Sequence, residues 1–188
     1  MPSGQSIAYV LAISLKEIEP PIWRRLIVPS SISLKKLHVV LQTTMGWADY
    51  HLHRFETGEG IFGTPDPDYP DGTRNEARIR LDRFLVSESD CIQYEYDFGD
   101  GWSHELRLEK VIGPIEGDVD VECLDGARAC PPEDVGGPHG YLEFLRAIRD
   151  PTHPEHAQMA DWIGGKFDSE KFDAKAVNRA LSHRRRGA

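Results

Sequence analysis

No apolar run in this chain approaches the ~20 residues that a membrane-spanning helix needs. The N-terminus lacks the basic start, apolar stretch and small-residue cleavage site of a secretory leader, so a cytoplasmic location is expected. Cysteine is scarce: Cys91, Cys123 and Cys130 make an odd set, which argues against a disulfide framework. Cys91 sits in a strand-like pattern and reads as a small buried hydrophobe. Positive charge is in deficit, with 22 Lys+Arg against 31 Asp+Glu and a net charge of −9. Duplex binding relies on Lys and Arg to neutralise phosphates, so nucleic acid is disfavoured as a direct partner. The basic run Arg184 to Arg186 reads as a solvated C-terminus. There is no Gly-x-x-x-x-Gly-Lys-Ser/Thr phosphate loop, no Gly-x-Gly-x-x-Gly dinucleotide turn and no Gly-x-Ser-x-Gly nucleophile elbow.

The chain's 188 residues, 39% hydrophobic and 28% charged, suit a single domain over 1–188, with a core at about 6–182. Residues 7–17 and 22–28 read as antiparallel strands separated by Pro20-Pro21. Ser33 is a good N-cap, and Leu34, Leu37, Val40, Leu41 and Met45 follow at helical spacing up to Gly46. Residues 51–56 alternate as a strand, 58–76 read as a loop, and 77–81 as a short strand followed by one helical turn at 81–85. Residues 91–97 and 102–112 are the arms of a hairpin. The stretch 113–140 is rich in Gly, Pro and acidic residues and reads as irregular, with C-terminal helices over 141–182. The order implies an α+β fold, a mostly antiparallel sheet against one main helix, with a β-β-α-β start that suggests a β-grasp-like topology.

Three segments carry candidate chemistry. His51 and His53 lie two apart, so on a strand both imidazoles share a face and could serve a divalent metal. Packing against aromatics is the alternative. The hairpin tip Tyr94-Glu-Tyr-Asp-Phe-Gly-Asp-Gly-Trp-Ser-His104 offers Asp97, Asp100 and His104 as further ligands or catalytic groups, on a turn that Gly and Asp favour in any case. The third segment, Cys130-Pro-Pro-Glu-Asp-Val-Gly-Gly137, places Glu133 and Asp134 where they could act as ligands or bases.

Pro21-Ile-Trp-Arg-Arg25, Met45-Gly-Trp47, His51-Leu-His53 with Phe55, the hairpin 94–104 and Cys130 to Gly137 with Tyr141 occur in this order in one family. On these motifs the chain resembles the plasmid pRiA4b ORF-3-like family over about residues 6–182. The resemblance implies a single α+β domain of unsettled function, often found near plasmids or mobile elements, some relatives being labelled resolvase-like transposon passenger proteins. Resolvase chemistry does not transfer: Arg24 and Arg25 lie in a strand with no matching serine motif, and no helix-turn-helix is evident.

The expected function is a non-enzymatic binding or accessory domain for a ligand or protein, linked to mobile elements or nucleic-acid processing. Its cleft would use Trp47, Tyr96 and Trp102 as contact area and Asp97, Asp100 and Glu133 for polar specificity. The alternative is a metal-dependent hydrolase, with His51, His53, His104 and Asp97 or Asp100 on the ion and Glu133 or Asp134 as base.

Overall fold

Period-2 alternation of apolar and polar residues builds one face of a large sheet. A computed structural model describes residues 4–68 and 70–186. In it β1 (Gln5–Leu15), β2 (Trp23–Pro29), β3 (His53–Thr57), β4 (Gly60–Gly63), β5 (Arg74–Asn75), β6 (Cys91–Tyr96), β7 (Trp102–Glu116) and β8 (Glu122–Ala127) form one eight-stranded sheet. Its order is β5-β4-β3-β6-β7-β1-β2-β8, antiparallel except for β4–β5. Four helices accompany it: α1 (Leu34–Met45), α2 (Gly137–Arg149), α3 (His156–Ile163) and α4 (Ala174–Arg186).

The α+β class and the antiparallel sheet agree with the sequence reading. Besides α1, the described residues include three helices after the sheet, α2 to α4, in the C-terminal stretch where helices were expected, and β3 is separated from β1 by β6 and β7. The β-β-α-β start is present, but it is part of a sheet larger than the β-grasp reading envisaged. Residues 58–76 contain β4 and β5, and 113–140 contain the end of β7, all of β8 and the first turn of α2. Residues 77–81 form no strand beyond an isolated bridge between Ser33 and Arg80.

One helix positions the site. The α1 N-cap Ser33 accepts a hydrogen bond from Lys36 N–H, and Gly46 ends the helix at φ 92°, a left-handed position that glycine adopts without Cβ strain. Buried side chains Phe62, Phe55, Tyr94, His104 and Leu15 form a cross-strand row in register, and α1 reaches it through His38 and Gln42, which bond Tyr94. The opposite face of the sheet is polar, with Arg25–Glu109, Arg54–Glu95 and Arg107–Glu105 ion pairs. Such a sheet needs only one covered face. Cys91 belongs to this outer face and is exposed, contrary to expectation, because the β6 alternation puts Ile92, Tyr94 and Tyr96 inside.

Arg24 is the exception on the buried side. Its guanidinium donates to the carbonyls of Thr44, Trp23, Ala127 and Arg128 and lies over the Phe172 ring, so the buried charge has four oxygen partners. The outer edge of β8 is met by Asn178 of α4. The Asn178 carboxamide accepts from Cys123 N–H (2.7 Å) and donates to Cys123 C=O (2.9 Å). Arg184 in the same helix is exposed, and the side chains of Arg185 and Arg186 lie outside the described residues.

Candidate metal centre

Three loops meet at the turn of the β6–β7 hairpin. Trp47, just beyond the α1 cap, donates its indole N–H to Pro131 C=O (3.0 Å) and so ties the helix end to the 130–137 loop. Gly136 N–H donates to Asp100 Oδ2 (3.1 Å), fastening that loop to the hairpin tip. Gly137 is essential to this approach, because a Cβ there would stand 2.3 Å from the Asp100 carbonyl oxygen, at φ 69°. Glu133 is held from two sides, by Ala48 N–H (2.8 Å) and by the Tyr96 hydroxyl (3.2 Å to each carboxylate oxygen). The same hydroxyl accepts from Tyr50 N–H (3.1 Å), which fixes the loop that presents His51.

Inside this frame His51 Nε2 lies 3.1 Å from Asp134 Oδ1, 3.5 Å from Asp97 Oδ2 and 4.0 Å from Glu133 Oε2. One ligand-type atom from each of His51, Asp97 and Asp134 falls within 4.8 Å of the others. His51 Nε2 is shielded from solvent and makes no hydrogen bond among the described residues. Asp97 is 6% exposed, so one of the carboxylates gathered on this nitrogen is buried. Its Oδ1 accepts from Gly99 and Asp100 N–H, and its Oδ2 faces His51. Asp97 (φ 56°) and Asp134 (φ 57°) both occupy the left-handed region, where a non-glycine residue costs roughly 1–2 kcal/mol.

The structure brings together four of the candidate residues, His51, Asp97, Glu133 and Asp134, and separates the others. The alternation that aligned His51 with His53 fails because the strand begins only at His53 and His51 lies in the preceding bend. His53 instead bonds Glu76 (3.0 Å) and stacks on His38, ring centroids 3.4 Å apart. His104 is fully buried against Trp47, its Nδ1 3.3 Å from Tyr94 C=O, and burial pulls its pKa down to about 4. It is a neutral core residue, and neither Asp97 nor Asp100 reaches it. Asp100 is spent on the Gly136 bond. Trp47, Tyr96 and Trp102, expected as contact area, are 4%, 0% and 0% exposed and belong to the core. The apolar side chains that do reach solvent nearby are Tyr50, Leu52 and Phe98.

Behind the site lies a polar ring that sequence reasoning missed. Asp49 N–H donates to Gln42 Oε1, Gln42 Nε2 donates to Tyr94 Oη, Tyr94 Oη is 2.8 Å from His38 Nδ1, and His38 Nε2 is 2.9 Å from Asp49 Oδ1. The ring closes when Tyr94 donates to a neutral His38 that carries its proton on Nε2. Burial and the neighbouring His53 hold the His38 pKa below its ordinary value, which favours that neutral form. His38 and Gln42, four apart within the apolar stripe of α1, were the available signal.

The model of the plasmid pRiA4b ORF-3-like protein family matches residues 7–176. The chain belongs to that family. A relative, the uncharacterized protein y4hQ of Sinorhizobium fredii (strain NBRC 101917 / NGR234), is 39% identical over 173 residues, spanning 91% of this chain and 89% of its own. The crystal structure of a protein of unknown function, MM3350 from Methanosarcina mazei Go1, is similar at 38% identity with a TM-score of 0.79, covering 90% of this chain and 97% of that one. Within this family the motifs that carry the resemblance have structural roles here: Arg24 binds four carbonyls, Gly46 caps α1, and Gly137 allows the loop to dock.

Proposed function

We propose that this family member is a binding domain organised around one divalent cation, held by His51, Asp97 and Asp134 with Glu133 alongside. The observation that carries the reading is the His51 Nε2 atom, shielded from water, unbonded and surrounded by three carboxylates. Metal–ligand bonds of about 2.1 Å place adjacent donors roughly 3.0–3.5 Å apart, the spacing of His51 from Asp134 and Asp97. A mixed imidazole and carboxylate set suits a first-row transition ion such as Zn²⁺ or Mn²⁺. A cation would also offset the negative charge gathered there. The exposed side chains Tyr50, Leu52 and Phe98 near this centre supply contact area for a ligand or protein partner. With a net charge of −9, an accessory role beside nucleic-acid-processing machinery would run through protein contacts.

A hydrolase reading has one specific support. Glu133 stands 4.0 Å from His51 Nε2 and is fixed by Ala48 and Tyr96, where it could act as a base on a metal-bound water.

The test uses untagged protein equilibrated with Zn²⁺ or Mn²⁺, dialysed and analysed for bound metal. The expected result is close to one equivalent, with affinity falling about tenfold or more in Asp97→Asn and His51→Ala. Folded protein that retains no metal would overturn the proposal.

A further inference from the structure

A second site lies at the far end of α2. A cavity of about 480 Å³ opens between α2, the β1–β2 turn and the segment that follows α3. Its volume falls within the range of small-molecule sites. Pro20, Leu142 and Leu145 give it apolar walls, and Arg128, Arg146 and Arg149 line it in a chain whose net charge is −9.

The arginines have donors to spare. Arg128 is 5% exposed and sits at φ 68°. Its Nε binds Glu170 (3.1 Å) and its Nη1 binds Pro20 C=O, while Nη2 makes no hydrogen bond among the described residues. Among the described residues Arg149 uses only Nη2, on Ser169 Oγ (2.7 Å), and Arg146 uses only Nη1, on Glu143. The unused donors of these two are open to water, the Arg146 and Arg149 side chains being 68% and 59% exposed, so an oxyanion that enters the cavity exchanges water for charge-assisted bonds.

Glu170 shows which chemistry fits. Its Oε1 binds Arg128 Nε and lies 3.8 Å from Arg149 Nη2, while its side chain stays 63% exposed. An exposed carboxylate thus reaches over the two arginines from the rim, and Glu19 is the other acidic residue of the wall. We infer that this cavity binds a small organic oxyanion, a carboxylate or a phosphate monoester with an apolar body. The anionic head takes the free donors of Arg128, Arg146 and Arg149, and the body lies on Pro20, Leu142 and Leu145. Planar guanidinium donors suit both oxyanions. The site is separate from the cation centre and does not depend on it.

Calorimetric titration of the full-length protein with phenyl phosphate and with benzoate tests the inference. Saturable one-to-one binding is expected, and the tighter probe identifies the head group. Arg149→Ala should weaken it about tenfold, as loss of a charge-assisted bond would. Glu170→Ala removes the competing carboxylate and should tighten both probes. Asp97→Asn should leave them unchanged. Absence of saturable binding to either probe, or affinity indifferent to Arg149→Ala and Glu170→Ala in folded protein, would overturn the inference.

Discussion

The imidazole of His104 should make the fold sensitive to mild acid, by an amount that follows from its burial. An unfolded imidazole takes up a proton at about pH 6.5, whereas His104 in the folded chain does so only near pH 4. Between those values the unfolded chain binds more protons, so acidification favours unfolding. Stability is lost as the pH falls from about 6.5 towards 4 and levels off below that. The linkage relation gives a loss of about 2 kcal/mol between pH 7 and pH 5 from this group alone. Urea unfolding followed by tryptophan fluorescence at the two pH values measures it, with buried Trp47 and Trp102 as reporters. His104→Leu retains the apolar packing against Trp47 and Tyr94. It gives up the Nδ1 bond to Tyr94 C=O and also removes the orphaned Nε2, so stability at pH 7 should change by no more than about 1 kcal/mol. Its loss between the two pH values should be smaller by about 2 kcal/mol. Some slope should remain, because His38 is also held below its ordinary pKa. Equal slopes in the two proteins would refute the reasoning.

Gly137→Ala sets a Cβ against the Asp100 carbonyl, so the 131–136 loop must move off the hairpin tip. Cation affinity should fall with a stability loss of about 2 kcal/mol, read by metal titration and urea unfolding. Arg24→Leu leaves four carbonyls without their buried donor and should cost about 3–5 kcal/mol by urea unfolding. Trp47→Phe keeps the packing but loses the bond to Pro131 C=O. A stability loss of about 1 kcal/mol is expected, together with weaker metal retention in dialysis.

The parts of the fold that could be read from sequence are those set by local rules. Ser33, the stripe from Leu34 to Met45, and Gly46 specify α1 through its cap, spacing and stop. The hairpin follows from Tyr94 and Tyr96 alternating into the Phe-Gly-Asp-Gly turn. β8 and the end of β7 were hidden because Gly113, Pro114 and Gly117 look like breakers, yet β7 pairs with β1 to Glu116 through shifts in register. At the site, residue type did not reveal depth. Trp47, Tyr96 and Trp102 are as apt for a core as for a contact surface, and only tertiary packing buries them. His51 parted from His53 because alternation holds within a strand and the strand starts two residues later. The convergence of His51, Asp97 and Asp134 was legible as a question about three segments. The ring through Gln42, Tyr94, His38 and Asp49 depends on a helix, a strand and a loop arriving together, which no local pattern encodes.

The amide of Asn178 bears on how the protein behaves in a crowded solution. The outermost strand of any open sheet offers free N–H and C=O groups to other chains, and such edges seed intermolecular pairing and aggregation. β8 is one of the two edges of this sheet, and Asn178 occupies both hydrogen-bonding groups of Cys123 near its start, as a ninth strand would. The C-terminal helix is therefore a guard on the sheet, and a chain cut short before Ala174 would expose a templating edge as well as losing the core side chain of Leu181.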